Sequence, residues 1–455
     1  MRLWGNVDNN YLNPDGQSFR IIQSAWEIIS VQNNRTSKLV FTVFVTMVMA
    51  IPCHGMISID RGEIRGDILG MGGGYIHPFL TFSDNYTDNV YYDPDHRKSD
   101  YYTIFSPGIL LIAPGAKAED PGANILSIST PGGLMFSKDM DALERKIHAR
   151  FLYNADIEDY RKYNDNDVTT INIEGGVQYN MKGGLSFDAV YQHNASYEDR
   201  SVYNSEGLNK YIVDLASVVL FYRPSEKMDF RMDFRLFDIG YDSAIDRSND
   251  RRDKVISGYT FYKWTPKTSF YVRYDHFIID YDSGELKNSI EYNYSAGVRW
   301  FISEKTNGRI SVGYGIKDFK EESVNDSRDI TSQIFLSNQL TGKSYVNFVG
   351  FRRTNETDAP GIQYLFTNKI MLGYFYRMNE RIAVTIKLSY MDDQYQGGGS
   401  ERRKDKSWDI SPTAGYIYNQ WLEFRMSYRF DLRNSNEKDH DYTHNGISME
   451  IRAVL

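Results

Sequence analysis

The sequence has 455 residues and only one cysteine, Cys53, so a disulfide framework within the chain is excluded. It also lacks an excess of positive charge. The formal net charge is −8, and no basic stripe of the kind that contacts phosphates is present, so we predict no nucleic-acid partner. The 8 histidines are scattered without the spacing of metal ligands. We therefore predict neither a metal site nor a cofactor.

Long apolar segments are missing as well, with one exception at residues 38–55. A basic stretch precedes this apolar run and small residues follow it, which is the layout of a secretory signal peptide. The run is short for the roughly 20 residues of a membrane-spanning helix. We predict a signal peptide over residues 31–55, with cleavage before Met56. Residues 1–30 are then an N-terminal extension or the result of a start codon assigned too early, and residues 56–71 form a short periplasmic lead-in.

Aromatic residues, by contrast, are abundant at 15% of the chain, and many segments alternate polar and apolar side chains. In residues 229–238, DFRMDFRLFD, charged and large apolar side chains alternate without interruption from residue 229 to residue 236. Only an extended strand does this, because successive side chains point to opposite faces. The same alternation recurs in residues 289–301, 310–316, 381–390 and 422–431. Each of these segments is predicted to be a strand with one polar and one apolar face.

About eighteen such segments lie between residue 72 and the C-terminus, with sixteen as the alternative count, and each is as long as the roughly 9–11 residues of a tilted bilayer-crossing strand. Short connectors such as 265–267 alternate with long polar ones such as 392–406. Outer-membrane barrels combine short periplasmic turns with long extracellular loops in this way. We predict an all-β, antiparallel, up-and-down transmembrane barrel over residues 72–455, in the outer membrane of a Gram-negative bacterium.

The connector at residues 115–143 departs from this alternation, because it is long where a short periplasmic turn is required. Three interpretations of it stay open. It is a small periplasmic insertion, a plug of the lumen, or a pair of strands missing from the count.

The outer surface of such a barrel defines its predicted partners. Aromatic residues cluster beside the short connectors, as in an interfacial girdle, and the apolar strand faces are expected to contact outer-membrane lipid and lipopolysaccharide. The chain ends in GISMEIRAVL, an amphipathic strand whose last residue, Leu455, is apolar. This terminus resembles the signal read by the barrel-assembly machinery, which we predict as a further partner.

Residues 72–111 carry a motif with a proline in the first strand, an Asp/Asn-rich stretch, a Ser-Asp pair and a Pro-Gly pair in the second strand. Its residues are Pro78, Asp84, Asn85, Asp88, Asn89, Val90, Tyr91, Ser99, Asp100, Pro107 and Gly108. The motif resembles the opening of the family described as Putative beta-barrel porin 2. That resemblance implies an outer-membrane barrel, often encoded beside exopolysaccharide or capsule synthesis genes, and therefore a channel or accessory protein for exopolysaccharide export with exopolysaccharide as a partner. It implies no catalytic or binding residues.

If the apolar face of each strand meets lipid, the charged face lines the lumen. The predicted lumen-lining residues are Asp229, Arg231, Asp233, Arg235, Arg273, Asp275, Glu291, Arg299, Arg309, Lys387, Arg425 and Arg429. One interpretation is a lumen tuned for an anionic solute, since rings of charge set pore selectivity. The other is a lattice of cross-strand ion pairs that stiffens the wall. The near balance of the two signs favours the lattice.

The sequence favours a passive channel over an enzyme. A barrel hydrolase needs a nucleophile arranged with a histidine on a neighbouring strand. Among the predicted strands, we consider only His148 and His276 as candidates, and His276 falls on the predicted lipid face. We therefore predict no catalytic residues. The alternatives to exopolysaccharide transport are a general small-solute porin and a barrel enzyme that modifies polysaccharide or lipid.

Overall fold

The structure is a computed structural model. It describes residues 76–113, 129–130, 132–134, 146–198, 208–242, 246–283, 287–303, 306–359, 361–397, 403–419 and 421–454. The predicted N-terminal extension, signal peptide and periplasmic lead-in lie outside these residues, as do Leu455 and most of the connector 115–143. Within the described ranges, no helix is both long enough and apolar enough to cross a membrane.

The described chain is almost entirely β-structure. The strands are β1 (Ile76–Thr87), β2 (Asp100–Ala113), β3 (Ser129–Thr130), β4 (Gly133–Leu134), β5 (Ile147–Tyr160), β6 (Val168–Asn180), β7 (Leu185–Glu198), β8 (Asn209–Tyr222), β9 (Met228–Tyr241), β10 (Arg251–Thr265), β11 (Thr268–Tyr281), β12 (Ser289–Ser303), β13 (Thr306–Phe319), β14 (Ser327–Thr341), β15 (Ser344–Asn355), β16 (Tyr364–Arg377), β17 (Ile382–Gln396), β18 (Lys404–Ile417), β19 (Leu422–Ser435) and β20 (Tyr442–Val454). Short 3-10 helices lie in three connectors, at Asn164–Asn166, Asp246–Asn249 and Lys438–His440.

One 18-stranded antiparallel sheet contains every described strand except β3 and β4, which pair with each other as a two-stranded hairpin. Each strand of the large sheet pairs with the next in the chain, and β1 pairs with β20, so the sheet closes into a barrel. The predicted fold class and the predicted count of eighteen strands are confirmed. The alternating segments at 229–238, 289–301, 310–316, 381–390 and 422–431 correspond to β9, β12, β13, β17 and β19.

The two rims of the barrel differ in the length of their connectors. Connectors such as 181–184, 266–267 and 342–343 define the short-turn rim, while those such as 88–99 and 356–363 define the long-loop rim. At 181–184 the chain reverses through Gly183 and Gly184, whose φ angles of 102° and 86° lie in the region that a side chain disfavours. The tight NMKGG turn therefore depends on its glycines.

Burial distinguishes the two faces of the wall. On β9 the apolar residues Phe230, Met232, Phe234 and Leu236 are exposed on the outside, and Leu236 is 54% exposed. Large apolar residues are exposed in the same way on the other strands, whereas the buried residues of β9 point inward. The packed core of this protein therefore lies inside the barrel, and the outer face is rich in exposed apolar side chains.

Candidate functional site

The inner face of β9 is buried, and its first four inward residues are all charged. Asp229 and Asp233 are 0% exposed, and Arg231 and Arg235 are each 4% exposed. The Nε atom of Arg231 donates a hydrogen bond of 2.6 Å to Oδ1 of Asp233, two residues along the same strand. Residues two apart on a strand share a face, so this pair lies flat on the inner wall.

The same spacing recurs around the barrel. Charged pairs two residues apart on one strand are Arg231–Asp233, Arg251–Asp253, Arg273–Asp275, Arg425–Glu423 and Arg429–Asp431, and Arg403 pairs with Asp405 where β18 begins. Contacts between neighbouring strands add to them, such as Lys263 with Asp229 at 2.8 Å and Arg425 with Glu450 at 3.6 Å. The ion-pair lattice thus runs along strands as well as across them. Pairing leaves much of the inner wall locally neutral.

The twelve residues predicted to line the lumen all lie on the inward face, opposite the exposed apolar side chains. They are not gathered into one site. Asp229, Arg231, Asp233, Arg235, Arg273, Asp275, Glu291, Arg299 and Arg309 lie on β9, β11, β12 and β13, while Lys387, Arg425 and Arg429 lie on β17 and β19. Their role in selecting a solute remains a prediction.

A short hairpin of the connector 115–143 contacts the inner wall. Leu134 is 7% exposed and packs in one cluster with inward-facing apolar residues of three strands: Val213, Leu215, Phe237, Ile239, Tyr241 and Val255. Five of these six residues are at most 2% exposed, and the sixth, Tyr241, is 5% exposed. This contact places Leu134 inside the barrel.

Two hydrogen bonds hold the backbone of this hairpin. Nη1 of Arg353 donates to the carbonyl oxygen of Leu134 at 2.6 Å, and the backbone N–H of Glu356 donates to the carbonyl oxygen of Gly132 at 3.1 Å. Arg353 lies near the end of strand β15, and Glu356 is the first residue after that strand, at the long-loop rim. The connector leaves and rejoins the wall at the short-turn rim, yet its hairpin contacts residues close to the opposite rim.

Glu356 is the centre of a buried polar network. Its carboxylate accepts hydrogen bonds from Nζ of Lys317 at 2.6 Å and from the hydroxyl of Tyr281 at 2.7 Å, and the residue is 5% exposed. Burial alone would raise the pKa of the Glu356 carboxyl, but the nearby cations Lys317 and Arg251 outweigh it and hold that pKa below its usual range. A charged Glu356 therefore ties the start of connector 356–363 to β11 and β13 across the lumen.

The next residues of this connector also fold inward. Nζ of Lys287, in the connector after β11, donates to the carbonyl oxygen of Thr357 at 2.9 Å and to Oδ1 of Asn249 at 3.1 Å. Burial lowers the pKa of the Lys287 ammonium group. Thr357 and Ala359 are buried. The described residues of the hairpin and of the connector 356–363 thus lie inside the barrel and contact β8 to β11, β13 and β15.

The wall formed by β19, β20, β1, β2 and β5 has a different lining. Here a cavity of about 230 Å³ lies near the long-loop rim. Its polar lining is mostly uncharged and consists of Asn85, Thr87, Asn89, Tyr92, Tyr102, Tyr160, Asn166, Tyr197, Ser427, His444 and Ser448, with Arg429 as the cation. Tyr102 and Tyr160 stack with ring centroids 4.6 Å apart and planes 11° apart. Tyr92 has a φ of 53°, the only positive value at a non-glycine residue in the described chain.

Thr87, His444 and Asp431 form a hydrogen-bonded relay at this cavity. Nδ1 of His444 is 3.0 Å from Oδ2 of Asp431, and Nε2 is 2.9 Å from Oγ1 of Thr87. The connectivity is that of a nucleophile, base and acid. However, Thr87 is 5% exposed and its hydroxyl oxygen already accepts the backbone N–H of Asn89 at 3.2 Å. The relay joins β1, β19 and β20, and we interpret it as a brace of the closing seam.

Two motif residues of 72–111 brace the same seam, and others act next to it. Both carboxylate oxygens of Asp88 accept hydrogen bonds from Asn445, at 2.6 and 2.7 Å, and Nδ2 of Asn89 donates to the carbonyl oxygen of Thr443 at 3.1 Å. Asp100 accepts from two backbone N–H groups of the connector that follows β5. Pro78 and Pro107 lie within β1 and β2. Gly108 leaves the space that the ring of Phe79 occupies, since a Cβ there would overlap that ring.

The histidines considered from the sequence do not form an active site in the described residues. His276 lies on the outer face and packs against Tyr292 with ring centroids 5.1 Å apart. His148 lies on β5. No group of three or more potential metal ligands was found in the part of the chain that the structure describes. The sequence patterns did not identify Leu134 and Glu356 as central residues of the lumen. The only indication in the sequence is that both belong to connectors.

A closed antiparallel barrel with an apolar outer band and a polar interior is the architecture of outer-membrane β-barrels. This is the class of protein that the fold and the lumen define. The family model described as Putative beta-barrel porin 2 matches residues 146–454, and the chain belongs to this family. The match lies in strands beyond the motif of residues 72–111, so membership does not depend on that motif.

The structure is similar to several solved structures. They include OccK3 (OpdO) of Pseudomonas aeruginosa, with a TM-score of 0.42 and 10% identity over 84% of this chain and 96% of that one. OccAB4 of Acinetobacter baumannii has a TM-score of 0.42 and 8% identity over 84% and 99%. The FrpB iron transporter of Neisseria meningitidis has a TM-score of 0.40 and 10% identity over 83% and 82%. No curated protein sequence matches this chain.

Proposed function

We propose that this protein is a passive outer-membrane channel whose lumen is narrowed by a plug, namely the hairpin of β3 and β4 together with the inward-folded connector 356–363. The observation that carries the proposal is the burial of Leu134 among inward-facing residues of β8, β9 and β10. The charged network at Glu356 supports it, because Lys317, Tyr281 and the hairpin all converge on that residue. Solute then passes beside β19, β20, β1, β2 and β5.

The solute we propose is a hydroxyl-rich saccharide, and the biological role is exopolysaccharide export or an accessory step of it. The cavity beside β19, β20, β1, β2 and β5 supports this choice. Amide and hydroxyl groups such as those of Asn85 and Ser427 exchange hydrogen bonds with sugar hydroxyls, and tyrosine rings such as Tyr102 pack on the apolar face of a sugar ring. The family resemblance to barrels encoded beside exopolysaccharide genes points the same way.

Permeation measurements test this proposal. Liposomes carrying the protein are compared for the uptake of neutral oligosaccharides, of anionic oligosaccharides and of small amino acids and salts. The expected result is faster passage of neutral oligosaccharides, which Tyr102→Ala weakens and the control Tyr314→Ala does not, because Tyr314 is 47% exposed on the outer face of β13. Passage governed by molecular size alone would favour the alternative of a general small-solute porin.

The surface partners follow from the outer face. We propose that lipid and lipopolysaccharide cover the exposed apolar residues and that the barrel-assembly machinery binds β20. That strand presents Ile447, Met449 and Ile451 on its exposed face. Replacing all three with serine should slow assembly in vivo, whereas three serine replacements on exposed residues of β11 should slow it less.

A further inference from the structure

The outer face of β7 and β8 carries a hydrogen-bonded cluster of three polar side chains near the middle of both strands. His193 and Asp214 are partners in the register of these strands, and Tyr191 lies two residues from His193 on the same face. Nδ1 of His193 is 2.9 Å from Oδ1 of Asp214, and the hydroxyl of Tyr191 donates to the same oxygen at 2.5 Å. We call these three residues the lipid-side cluster.

The side on which the cluster lies follows from the register. Leu215 and Gln192, the neighbours of Asp214 and His193, are partners of each other and point inward, where Nε2 of Gln192 donates to Glu174 at 2.8 Å. Alternation therefore turns His193 and Asp214 outward. Both lie in the middle part of their 14-residue strands, and their side chains are 21% and 26% exposed. The cluster thus faces the hydrocarbon part of the bilayer.

Hydrocarbon is a poor environment for this cluster. Polar groups at this depth are satisfied inside the protein or by a protein partner, because lipid tails supply no hydrogen bonds. Among the described residues, Nε2 of His193 and Oδ2 of Asp214 have no hydrogen-bond partner. Nε2 of His193 is a donor when the imidazole is ion-paired with the carboxylate, and Oδ2 of Asp214 is an acceptor.

The residues around the cluster are small. Gly175 and Ala216 are the register partners of Tyr191, and Ala189 and Ala195 flank the cluster along β7. The outer faces of β9 and β11, by comparison, present large residues such as Leu236 and Phe270. Small residues allow the backbones of two membrane-embedded surfaces to approach closely, and polar side chains between them hold the contact.

We propose that the outer face of β7 and β8 is a homodimer interface, in which a second copy of this chain covers the lipid-side cluster. Copies in one membrane share an orientation, so the two-fold axis runs along the membrane normal and preserves depth. His193 and Asp214 lie at nearly the same depth because they are register partners. The axis therefore sets His193 of each copy opposite Asp214 of the other, and the same patch binds itself.

The mass of the complex in lipid nanodiscs and in mild detergent tests the interface, with heat-modifiable gel mobility as the check that each variant is folded. The wild type should be a dimer, and His193→Leu combined with Asp214→Leu should be a folded monomer. His193→Asp alone should also give monomers, while His193→Asp combined with Asp214→His should restore the dimer. A monomeric wild type, as expected if lipid alone covers the face, or a dimeric double-leucine variant would overturn the proposal.

Cross-linking provides a second test that does not alter the cluster. Single cysteines replace Ala195 beside the cluster or Val272 on the exposed face of β11, both in a Cys53→Ser background. A short bifunctional thiol reagent added to intact membranes should link Ala195→Cys copies at least tenfold more efficiently than Val272→Cys copies. Equal yields would overturn the proposal even if the protein were dimeric.

Discussion

Replacing Leu134 by alanine is the most direct test of the plug. The side chain is 7% exposed and belongs to a packed cluster with six buried residues of the inner wall, so the substitution removes apolar contact and leaves a cavity. Buried leucine-to-alanine changes cost about 2–5 kcal/mol. Because about 1.4 kcal/mol corresponds to a factor of ten, undocking of the hairpin should become favoured by at least about 25-fold. Barrel strands and their pairing are untouched, so folding should persist.

Single-channel recording in planar bilayers measures this effect. The Leu134→Ala protein should show more frequent and longer openings than the wild type at the same voltage. The matched control is Leu236→Ala, which removes the same atoms from a side chain that is 54% exposed on the outer face. Identical open probabilities for Leu134→Ala and the wild type, with both proteins folded, would refute the interpretation that Leu134 holds a plug in place.

Three further predictions address the wall. Phe234→Arg should weaken membrane insertion by about 2–4 kcal/mol near the bilayer midplane, measured by folding into liposomes in urea, whereas Phe234→Leu should change it little. Lys317→Met leaves the carboxylate of Glu356 buried without its ammonium partner and should destabilise the barrel by about 3–5 kcal/mol. Heat-modifiable mobility should record that loss, and adding Glu356→Gln should recover part of it. Gly184→Val forces a side chain into a φ of 86° and should cost about 1–3 kcal/mol in the same assay, while Gly342→Ala, in open space, should be neutral.

The fold was accessible from sequence because its two signals are local. Side-chain alternation identifies a strand without knowledge of its neighbours, as at residues 229–238, and the length of a connector reveals its rim. The inward or outward sense of each face followed from the apolar band alone. The register places the twelve candidate lumen residues on the inward face for this reason, and their action on a solute stays a prediction.

The contents of the lumen were not accessible in the same way. Leu134 lies in a two-residue strand, and Glu356 is one acid among the 60 of the chain. Their partners Phe237 and Lys317 are far away in sequence, and no periodicity links them. The same limit applies to His193 and Asp214, whose alternation with small residues reads as an ordinary strand until the register shows that both face lipid.

The seam between β1 and β20 sets the order of events when this protein is made. Asp88 and Asn445, which meet there, are 357 residues apart in the chain. No edge of the sheet can be sealed until the C-terminal strand has been synthesised and exported, because its partner is the first strand. Until then both edge strands expose unpaired backbone groups, which invite aggregation. A chain that stops before Tyr442 would therefore be an unclosed sheet in the periplasm and a target for its proteases, not a slightly smaller pore.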